Sequence, residues 1–333
     1  MPATALAVSP FRWQDGDRLV RFGRGALDEA ADLLGDDYQL LTTARALEAA
    51  PDVAGGAAAV HHVAAGHVDE VAAELRGSLE DGLLVALGGG RVIDVAKALA
   101  AADPPRRVAA VPTTLSGAEM TALHRHACGV PASTPRVRPA IVLNDPALSA
   151  SQPEAQLAAS ALNALAHAVE APLTPLASPV STLAALEGAR RLTAGFEATE
   201  PDRDALALGA LLAGYASGAA GFGLHHVMAQ TLVRLAGVGH GPANGLLLPH
   251  TIPALGRRFP AKFERLGEAV GGEPSAVAAS ILGRLGATRL RDCGVSREAP
   301  GRCASAAAER PELALTPPPA GHDELLELYE AAW

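Results

Sequence analysis

Short apolar runs alternate with amphipathic segments through the first half of the chain. Apolar runs bounded by turn residues predict strands, and segments with apolar residues at helical spacing predict helices. The predicted strands are RLVRFG (18–23), YQLLTT (38–43), GLLVALGGG (82–90, running into glycines), RVAAVPTT (107–114) and AIVLND (140–145). The predicted helices are 25–34, 67–76 and 91–101. Strands separated by helical segments pair in parallel, so this half predicts a doubly wound α/β domain.

From about residue 151 the strand pattern ends and Ala- and Leu-rich helical segments follow one another. These predicted helices are 154–171, 177–194, 203–235, 259–270 and 275–287, and 316–333 is a proline break followed by a terminal helix. The segment 296–318 has the least ordered pattern. Because aromatic residues make up only 3% of the chain, we expect the helices to pack through small residues. The chain therefore predicts an α/β domain over 1–150 and an all-helical domain over 151–333.

Composition and charge narrow the class of protein. Of the 333 residues, 49% are hydrophobic and 19% are charged, which is typical of a globular protein. The net charge of −9 and the lack of a basic stripe argue against nucleic acid as a partner. No stretch is apolar enough to cross a membrane, and MPATALAVSPFRW (1–13) lacks the pattern of a leader. We therefore expect a cytoplasmic protein whose three cysteines are free thiols.

The stretch LGGGRVIDVAKA (87–98) places three glycines between a strand and a helix. Glycines at this point let a phosphate approach the backbone N–H groups of a helix N-terminus, where the helix dipole also favours an anion. They do not have the spacing of the usual dinucleotide fingerprint, and a tight turn explains them equally well. Asp94 and Lys97 lie three residues apart on the helix, which also fits an ordinary surface ion pair.

The stretch VPTTLSGAEMT (111–121) is a strand that ends in a polar loop containing Thr113 and Thr114. Loops at the carboxyl ends of parallel strands are where α/β folds bind ligands. A connector without function is equally rich in turn residues, so this loop by itself leaves both interpretations open.

Histidines collect in the helical half: His167, the pair His225 and His226, and His240. Asn163 precedes His167 by four residues, which places both side chains on one helix face. A single histidine in an apolar helix is most often a hydrogen-bonded core residue, but four with an asparagine indicate a site. Imidazoles and carboxylates are the usual ligands of iron and zinc, and an amide weakens such a set. The amide therefore leaves open a weakened metal site, a site that works without metal, and an ordinary helix.

Together these motifs resemble the iron-containing alcohol dehydrogenase family, which belongs with the dehydroquinate synthases and glycerol dehydrogenases. The matching stretches, in the family's order and spacing, are VRFGRGAL, GGGRVIDVAKA, VPTTLSGAEMT, NALAHAVEA, GLHHVMAQTL, VGHGPANGLLLPH and the C-terminal AAW. Within the family the likeness is to the maleylacetate reductase branch, where Asn stands in place of the Asp of metal-dependent relatives. The resemblance implies a dehydroquinate synthase-like fold and a homodimer formed near the N-terminal strands.

The resemblance also implies a function. A reductase of this type uses NADH or NADPH to reduce an activated C=C or C=O of a small unsaturated oxo acid, and the pocket stabilises the enolate that forms. The cofactor is expected between a Rossmann-like domain (1–150) and a substrate domain (151–333). The implied cofactor residues are Gly88, Gly89, Gly90, Arg91, Asp94, Thr113, Thr114 and Thr42. Discrimination between NADH and NADPH is expected around Thr42–Arg45.

The remaining site residues follow from the same resemblance. The implied catalytic residues are His225, His226, His240, His167 and Lys97, with one histidine as the proton donor. The implied substrate residues are Asn163, Gln230 and Arg125. The family's metal positions correspond to Asn163, His167, His226 and His240, a degenerate set for which we expect no iron or zinc.

Three residues depart from the family pattern: Arg91 and Ala118 replace serines, and Gln230 replaces a histidine. Arg91 either clamps the pyrophosphate or closes the dinucleotide site. Gln230 cannot act as a general acid. The departures also fit a non-redox lyase, isomerase or cyclase on the same scaffold. A metal-dependent alcohol dehydrogenase and a non-catalytic binding protein are further alternatives.

Overall fold

The computed structural model describes residues 7–197 and 199–333. Residues 1–6, which belong to the stretch 1–13 considered above for a leader pattern, lie outside the described residues. The described residues form two compact units, 7–152 and the remainder from 153 onward. The strands of the first unit are β1 (Phe11–Asp15), β2 (Arg18–Phe22), β3 (Tyr38–Thr42), β4 (Ala57–His62), β5 (Leu84–Gly88), β6 (Val108–Pro112) and β7 (Ile141–Asn144). Its helices are α1 (Ala30–Leu34), α2 (Ala44–Ala49), α3 (Val68–Arg76) and α4 (Gly90–Ala102).

The strands form one seven-stranded sheet in the order β1-β2-β7-β6-β5-β3-β4. Every neighbouring pair is parallel except the antiparallel hairpin of β1 and β2. The chain runs from β3 outward to the edge strand β4 and then returns to place β5 on the other side of β3. The strand order therefore reverses between β3 and β5, which is where open α/β sheets bind ligands. Dimer formation near the opposite edge strand, β1, stays a prediction.

Helices cover both faces of this sheet, which confirms the doubly wound arrangement. Successive residues of β5 point to opposite faces. Leu84 and Ala86 pack with α3 and α4, whereas Val85 and Leu87 pack with the residues of α1 and α2. β5 is buried along its whole length, so its sequence is continuously apolar rather than alternating. The edge strands β1 and β4 are only partly buried, and sequence analysis missed them because they lack such a run.

The second unit contains helices and no strand among residues 153–197 and 199–333. Its helices are α5 (Glu154–Glu170), α6 (Pro179–Ala194), α7 (Arg203–Ala220), α8 (Leu224–Ala236), α9 (His240–Arg258), α10 (Pro260–Val270), α11 (Pro274–Leu282), α12 (Ala299–Ala308) and α13 (His322–Ala332). The predicted helices 154–171, 177–194 and 259–270 are confirmed, as is the terminal helix. The predicted helix 275–287 is shorter than expected because it ends at Leu282.

The prediction of one helix over 203–235 was wrong, because the chain bends by 100° between α7 and α8. Gly221 adopts a φ of 73°, a conformation that costs little only for glycine. Gly223 lies so close to Thr316 that a Cβ would be 2.0 Å from the Thr316 hydroxyl oxygen. The bend matters for the site because it directs the first turn of α8 toward α5.

Two further helices lie where the sequence pattern is weak. The segment 296–318, expected to be the least ordered, contains α12, so that expectation was wrong. Helix α9 was missed because Pro249 and Pro253 interrupt its pattern, and each proline removes a helical hydrogen bond. It forms nevertheless because residues 246–248 are completely buried against their neighbours. Tertiary burial therefore outweighs local preference in this helix.

The helix packing, the cysteines and the hydropathy of the helices bear on the expectations from composition. A Cβ on Gly188 of α6 would be 3.0 Å from the carbonyl oxygen of Gly209 on α7, so these small residues let α6 and α7 pack closely. All three cysteines are free thiols. Among the described helices none alone has the length and hydropathy of a membrane span, although α7 and α8 taken together as a bent pair do.

Candidate active site

The glycine loop joins β5 to α4 and lies beside the threonine loop. Gly88 ends the strand, Gly89 precedes α4 with an extended backbone, and Gly90 is the first helical residue. A Cβ on Gly89 would be 3.0 Å from the side chain of Thr114, and one on Gly90 would be 2.9 Å from that of Ser116. The glycines are therefore needed because the two loops pack directly on each other. The structure thus brings together the two loops that sequence analysis singled out separately as candidates for ligand binding.

The two departures in these loops have different environments. Arg91 is exposed on the first turn of α4. Ala118 is buried in the threonine loop, where its N–H group donates to Ser116 Oγ at 3.3 Å. Ser116 therefore still supplies a hydroxyl group at this point, and Arg91 adds a positive charge at the positive end of the helix dipole.

Thr42 and Thr113 connect neighbouring strand ends. Thr42 Oγ1 donates to the carbonyl oxygen of Leu87 at 2.9 Å, and the Thr113 N–H group donates to the carbonyl oxygen of Gly88 at 3.0 Å. Both threonine side chains are buried. These bonds fix the carboxyl ends of β3, β5 and β6 relative to one another, and a direct contact of either threonine with a cofactor stays a prediction.

Lys97 is enclosed by the segment that follows the threonine loop. Its side chain is completely buried, and Nζ donates to the carbonyl oxygens of Ala118, Thr121 and Leu123 at 2.9, 3.2 and 2.8 Å. Asp94 Oδ1 lies 2.7 Å from the same Nζ. The ion pair with Asp94 therefore exists, but it is not the surface pair considered above. Because an ammonium group has three protons, these oxygens use its donors, and the contacts favour an anchoring role over the predicted catalytic one.

Arg125, predicted to bind substrate, is exposed and pairs with Asp69, with 3.7 Å between Nη1 and Oδ2. An exposed pair at this distance is weak. Lys97 and Arg125 both belong to the α/β unit, whereas His167, His225, His226 and His240 belong to the helical unit.

The histidines of the helical unit form an aromatic cluster. His167 on α5 stacks on His226 of α8 with 4.5 Å between ring centroids, and His225 meets His226 edge-on at 5.2 Å. His225 and His226 are buried. The cluster exists because the bend before α8 turns the first residues of that helix onto α5.

Glu170 organises this cluster, and sequence analysis missed it. Its carboxyl oxygens accept the backbone N–H groups of His225 at 2.7 Å and His226 at 3.1 Å, and Oε2 lies 2.6 Å from His226 Nδ1. Gly223 has no side chain with which to cap α8, so Glu170 supplies the cap from α5. Burial raises the pKa of Glu170, and the donors around it oppose that rise. The available signal was an acidic residue at the end of an apolar helix, three positions after His167.

The contact with Glu170 selects the tautomer of His226. When Nδ1–H donates to the carboxyl group, Nε2 carries the lone pair. Nε2 is buried and has no partner among the described residues. Burial lowers the pKa of His226 to about 3 and holds the pKa of His167 well below its usual value. Both imidazoles are therefore neutral at pH 7 and are poor proton donors.

His225 is held through both ring nitrogens. Nδ1 lies 2.8 Å from Thr251 Oγ1, and Nε2 lies 3.1 Å from Asn244 Oδ1. Burial lowers the pKa of His225 to about 3. A neutral imidazole with both nitrogens engaged favours a structural role over the predicted catalytic one. Sequence analysis did not single out Thr251 or Asn244, because only the folded structure brings their side chains to the ring of His225.

His240 differs from the other histidines because it is exposed. It is the first residue of α9, and its Nε2 lies 3.1 Å from Asn163 Oδ1. With the amide oriented in this way, Oδ1 accepts and Nε2 carries a proton. Asn244 donates to the backbone carbonyl oxygen of His240 at 2.8 Å. Asn163 and Asn244 therefore position His240 through its ring and its backbone.

The family's metal positions do not form a complete ligand set. Within residues 7–197 and 199–333, no group of three or more His, Cys, Asp and Glu side chains is arranged to hold a metal ion. Asn163 contributes a neutral amide where a carboxylate would supply charge, and its Oδ1 is engaged by His240. An amide in place of a carboxylate weakens this set, and the absence of tightly bound iron or zinc stays a prediction.

Gln230 lies one turn after His226 on α8 and is half-buried. Its Oε1 accepts a hydrogen bond from Arg310 Nη2 at 3.1 Å. Arg310 was not singled out from the sequence. The contact places a guanidinium group beside the helix that carries His226.

Comparisons with known proteins agree with this architecture. Residues 157–333 match the Fe-containing alcohol dehydrogenase family, C-terminal. The maleylacetate reductase of Sphingobium indicum is 32% identical over 317 residues, which cover 88% of this chain and 89% of that protein. Maleylacetate reductase 1 of Rhodococcus opacus is 34% identical over 276 residues, which cover 80% of this chain and 76% of that protein.

Solved structures show the same fold. Maleylacetate reductase from Agrobacterium tumefaciens matches with a TM-score of 0.81 at 28% identity, over 98% of this chain and 99% of that chain. An iron-containing alcohol dehydrogenase from Corynebacterium glutamicum matches with a TM-score of 0.84 at 26% identity, over 98% and 97% of the two chains. These similarities confirm the predicted fold class.

Replacing Glu170 with glutamine tests its role as the cap of α8. The new amide group directs N–H donors at N–H donors, so we expect the free energy of unfolding to fall by about 2–4 kcal/mol. Glu264→Gln on the exposed side of α10 is the control and should change it by less than about 0.5 kcal/mol. Urea unfolding followed by circular dichroism measures both. Equal stability of the two variants would contradict the assigned role.

Lys97→Met tests whether Lys97 anchors its loop. The substitution leaves buried carbonyl oxygens and Asp94 without their donor, so we expect a loss of about 3–5 kcal/mol of unfolding free energy. The control, Arg76→Met, breaks the exposed pair with Asp103 and should cost about 1 kcal/mol or less. A Lys97→Met protein as stable as the control, but inactive, would instead indicate the catalytic role.

Proposed function

Because the chain belongs to the Fe-containing alcohol dehydrogenase family, and is thereby an oxidoreductase, we propose that it is an NAD(P)H-dependent reductase of the maleylacetate reductase type. The substrate is a small unsaturated oxo acid in which a C=C or C=O bond is activated. The observation that carries the proposal is the hydrogen bond between Asn163 and His240, two residues at the family's metal positions. The chain is also related to maleylacetate reductases over most of its length. A cytoplasmic location and a homodimer accompany the proposal as predictions.

The glycine and threonine loops fit a dinucleotide. NADH or NADPH supplies the hydride when bound. Helix α4 begins without a side-chain cap among the described residues, so its first N–H groups suit a pyrophosphate. The exposed guanidinium group of Arg91 on the same turn adds a charged, bidentate donor, which supports the clamp interpretation over the blocked site.

His240 is the proposed proton donor. Hydride addition to the carbon β to the oxo group moves the C=C electrons onto the oxo oxygen, and the resulting enolate needs one proton on the α carbon. Asn163 Oδ1 holds the Nε2–H of His240, so an imidazolium at this position releases its proton from Nδ1 and remains as the Nε2–H tautomer. His225, His226 and His167 are poor donors because burial keeps them neutral.

A combined binding and activity assay tests the function. We expect saturable binding of NADH or NADPH, followed by nicotinamide fluorescence, and oxidation of the bound cofactor when a 4-oxo-2-enoic acid is added. His240→Gln should lower kcat by about 10²–10⁴-fold with little change in cofactor affinity, because it removes the acid alone. His322→Gln, at an exposed position of α13, is the control. Failure of a folded protein to bind either nucleotide would overturn the proposal and favour a non-redox lyase or isomerase.

Asn163→Asp tests whether the amide sets the weak metal affinity that we propose. A carboxylate next to His240 supplies the charge that a divalent cation requires, so zinc or ferrous iron affinity should rise by at least about tenfold. Gln156→Glu adds a carboxylate to the exposed side of α5 and should have no such effect. Metal content after dialysis, by plasma mass spectrometry, measures the difference. Stoichiometric metal in the dialysed wild-type protein would contradict catalysis without a tightly bound metal.

A further inference from the structure

The substrate class proposed above requires a positive partner for its carboxylate, and the cations expected from the sequence are engaged elsewhere. Lys97 Nζ is surrounded by three backbone oxygens and Asp94. Arg125 pairs with Asp69 on the surface of the α/β unit. In the helical unit, Arg310 contacts the helix of the histidine cluster through Gln230.

The segment 310–316 runs beside α8 and is attached to it at two points. At one end, Arg310 donates to Gln230; at the other, Thr316 Oγ1 accepts the N–H group of Leu224 at 2.9 Å. His226 lies between these two attachment points on α8. Gln230 follows His226 by four residues, so their side chains are neighbours on the helix surface. Arg310 is therefore held near the part of α8 that carries His226.

Glu312 pairs with one edge of the Arg310 guanidinium group. Nε donates to Glu312 Oε2 at 3.0 Å and Nη2 donates to Oε1 at 2.7 Å, which is a bidentate contact on one edge of the plane. The second edge consists of Nη1 and Nη2. On that edge Nη2 donates to the amide oxygen of Gln230, and Nη1 takes part in none of these three bonds. The side chain of Arg310 is 28% exposed, so it is not sealed in the core.

We propose that Arg310 binds a carboxylate of the substrate through its Nη1–Nη2 edge, and that the Gln230 amide oxygen occupies part of that position when no ligand is bound. A planar carboxylate matches two parallel N–H donors, which an amide oxygen cannot do. Gln230 then turns its NH₂ group to the bound carboxylate as a further donor. This inference rests on the proposed function for its substrate class, and it selects a substrate that bears a carboxylate over a simple ketone.

Binding of adipate, an unreactive six-carbon dicarboxylate, tests Arg310 without any turnover. Calorimetric titration of the chain should show adipate bound about tenfold or more tightly than its dimethyl ester, which carries no carboxylate. Arg310→Gln should weaken adipate binding by about tenfold or more and abolish most of that preference. Arg310→Lys keeps the charge but not the fork and should give an intermediate loss.

Glu312→Gln is the matched control, because it breaks the same ion pair but keeps the guanidinium group. It should bind adipate within about threefold of the wild type, as should Arg302→Gln on the exposed side of α12. Equal losses in Arg310→Gln and Glu312→Gln would show that the ion pair acts only structurally and would overturn the proposal. Unchanged binding in Arg310→Gln, or none in the wild type, would overturn it as well. Because adipate accepts no hydride, these results do not depend on the reductase assay.

Discussion

The helical part of the site depends on one buried carboxyl group at the start of α8. A helix that begins at glycine has no cap of its own, and a buried N-terminus needs acceptors for its N–H groups. Glu170 provides them from α5, and the same oxygen that accepts the His226 N–H group also accepts its imidazole. The Glu170 carboxyl group therefore joins α5 to α8, holds the start of α8 in place after the bend, and selects the tautomer of His226. Because the same two oxygen atoms do all of this, a substitution of Glu170 affects the helix contact, the cap and the tautomer together.

Neutrality is the second property of this cluster. His225 and His226 are buried in their neutral forms. Moving an imidazolium out of water costs more free energy than its interactions with the surrounding dipoles supply. An aspartate at position 163 would bring a negative charge to these rings and would require a cation to balance it. Asn163 requires none, and it uses its oxygen to hold His240 instead. The amide is therefore consistent with the proposal that the exposed, hydrogen-bonded His240 acts without a metal ion.

In the α/β unit, two loops come into contact at the end of the sheet. β5 and β6 are neighbours, so the loops that follow them begin side by side. Gly89 and Gly90 remove the side chains that would separate these loops, and Lys97 binds three carbonyl oxygens of the segment behind them. The buried ammonium group therefore helps to maintain the shape of the loop pair, while the proposed anion binding is assigned to backbone N–H groups and the exposed Arg91.

Local pattern was sufficient for the α/β class, the helical second unit and the positions of the glycine, threonine and histidine motifs, because buried strands and apolar helices repeat within a few residues. It was insufficient for the bend at 221–223, where glycines interrupt an apolar pattern, and for α9, where packing outweighs the proline preference. The partners of the functional side chains were also hidden, since Glu170 and His225 are 55 positions apart and Gln230 and Arg310 are 80 apart. The sequence by itself determined which residue types are available for chemistry. Only the tertiary structure decided which of them are buried, engaged or accessible, because those properties depend on neighbours that no local window contains.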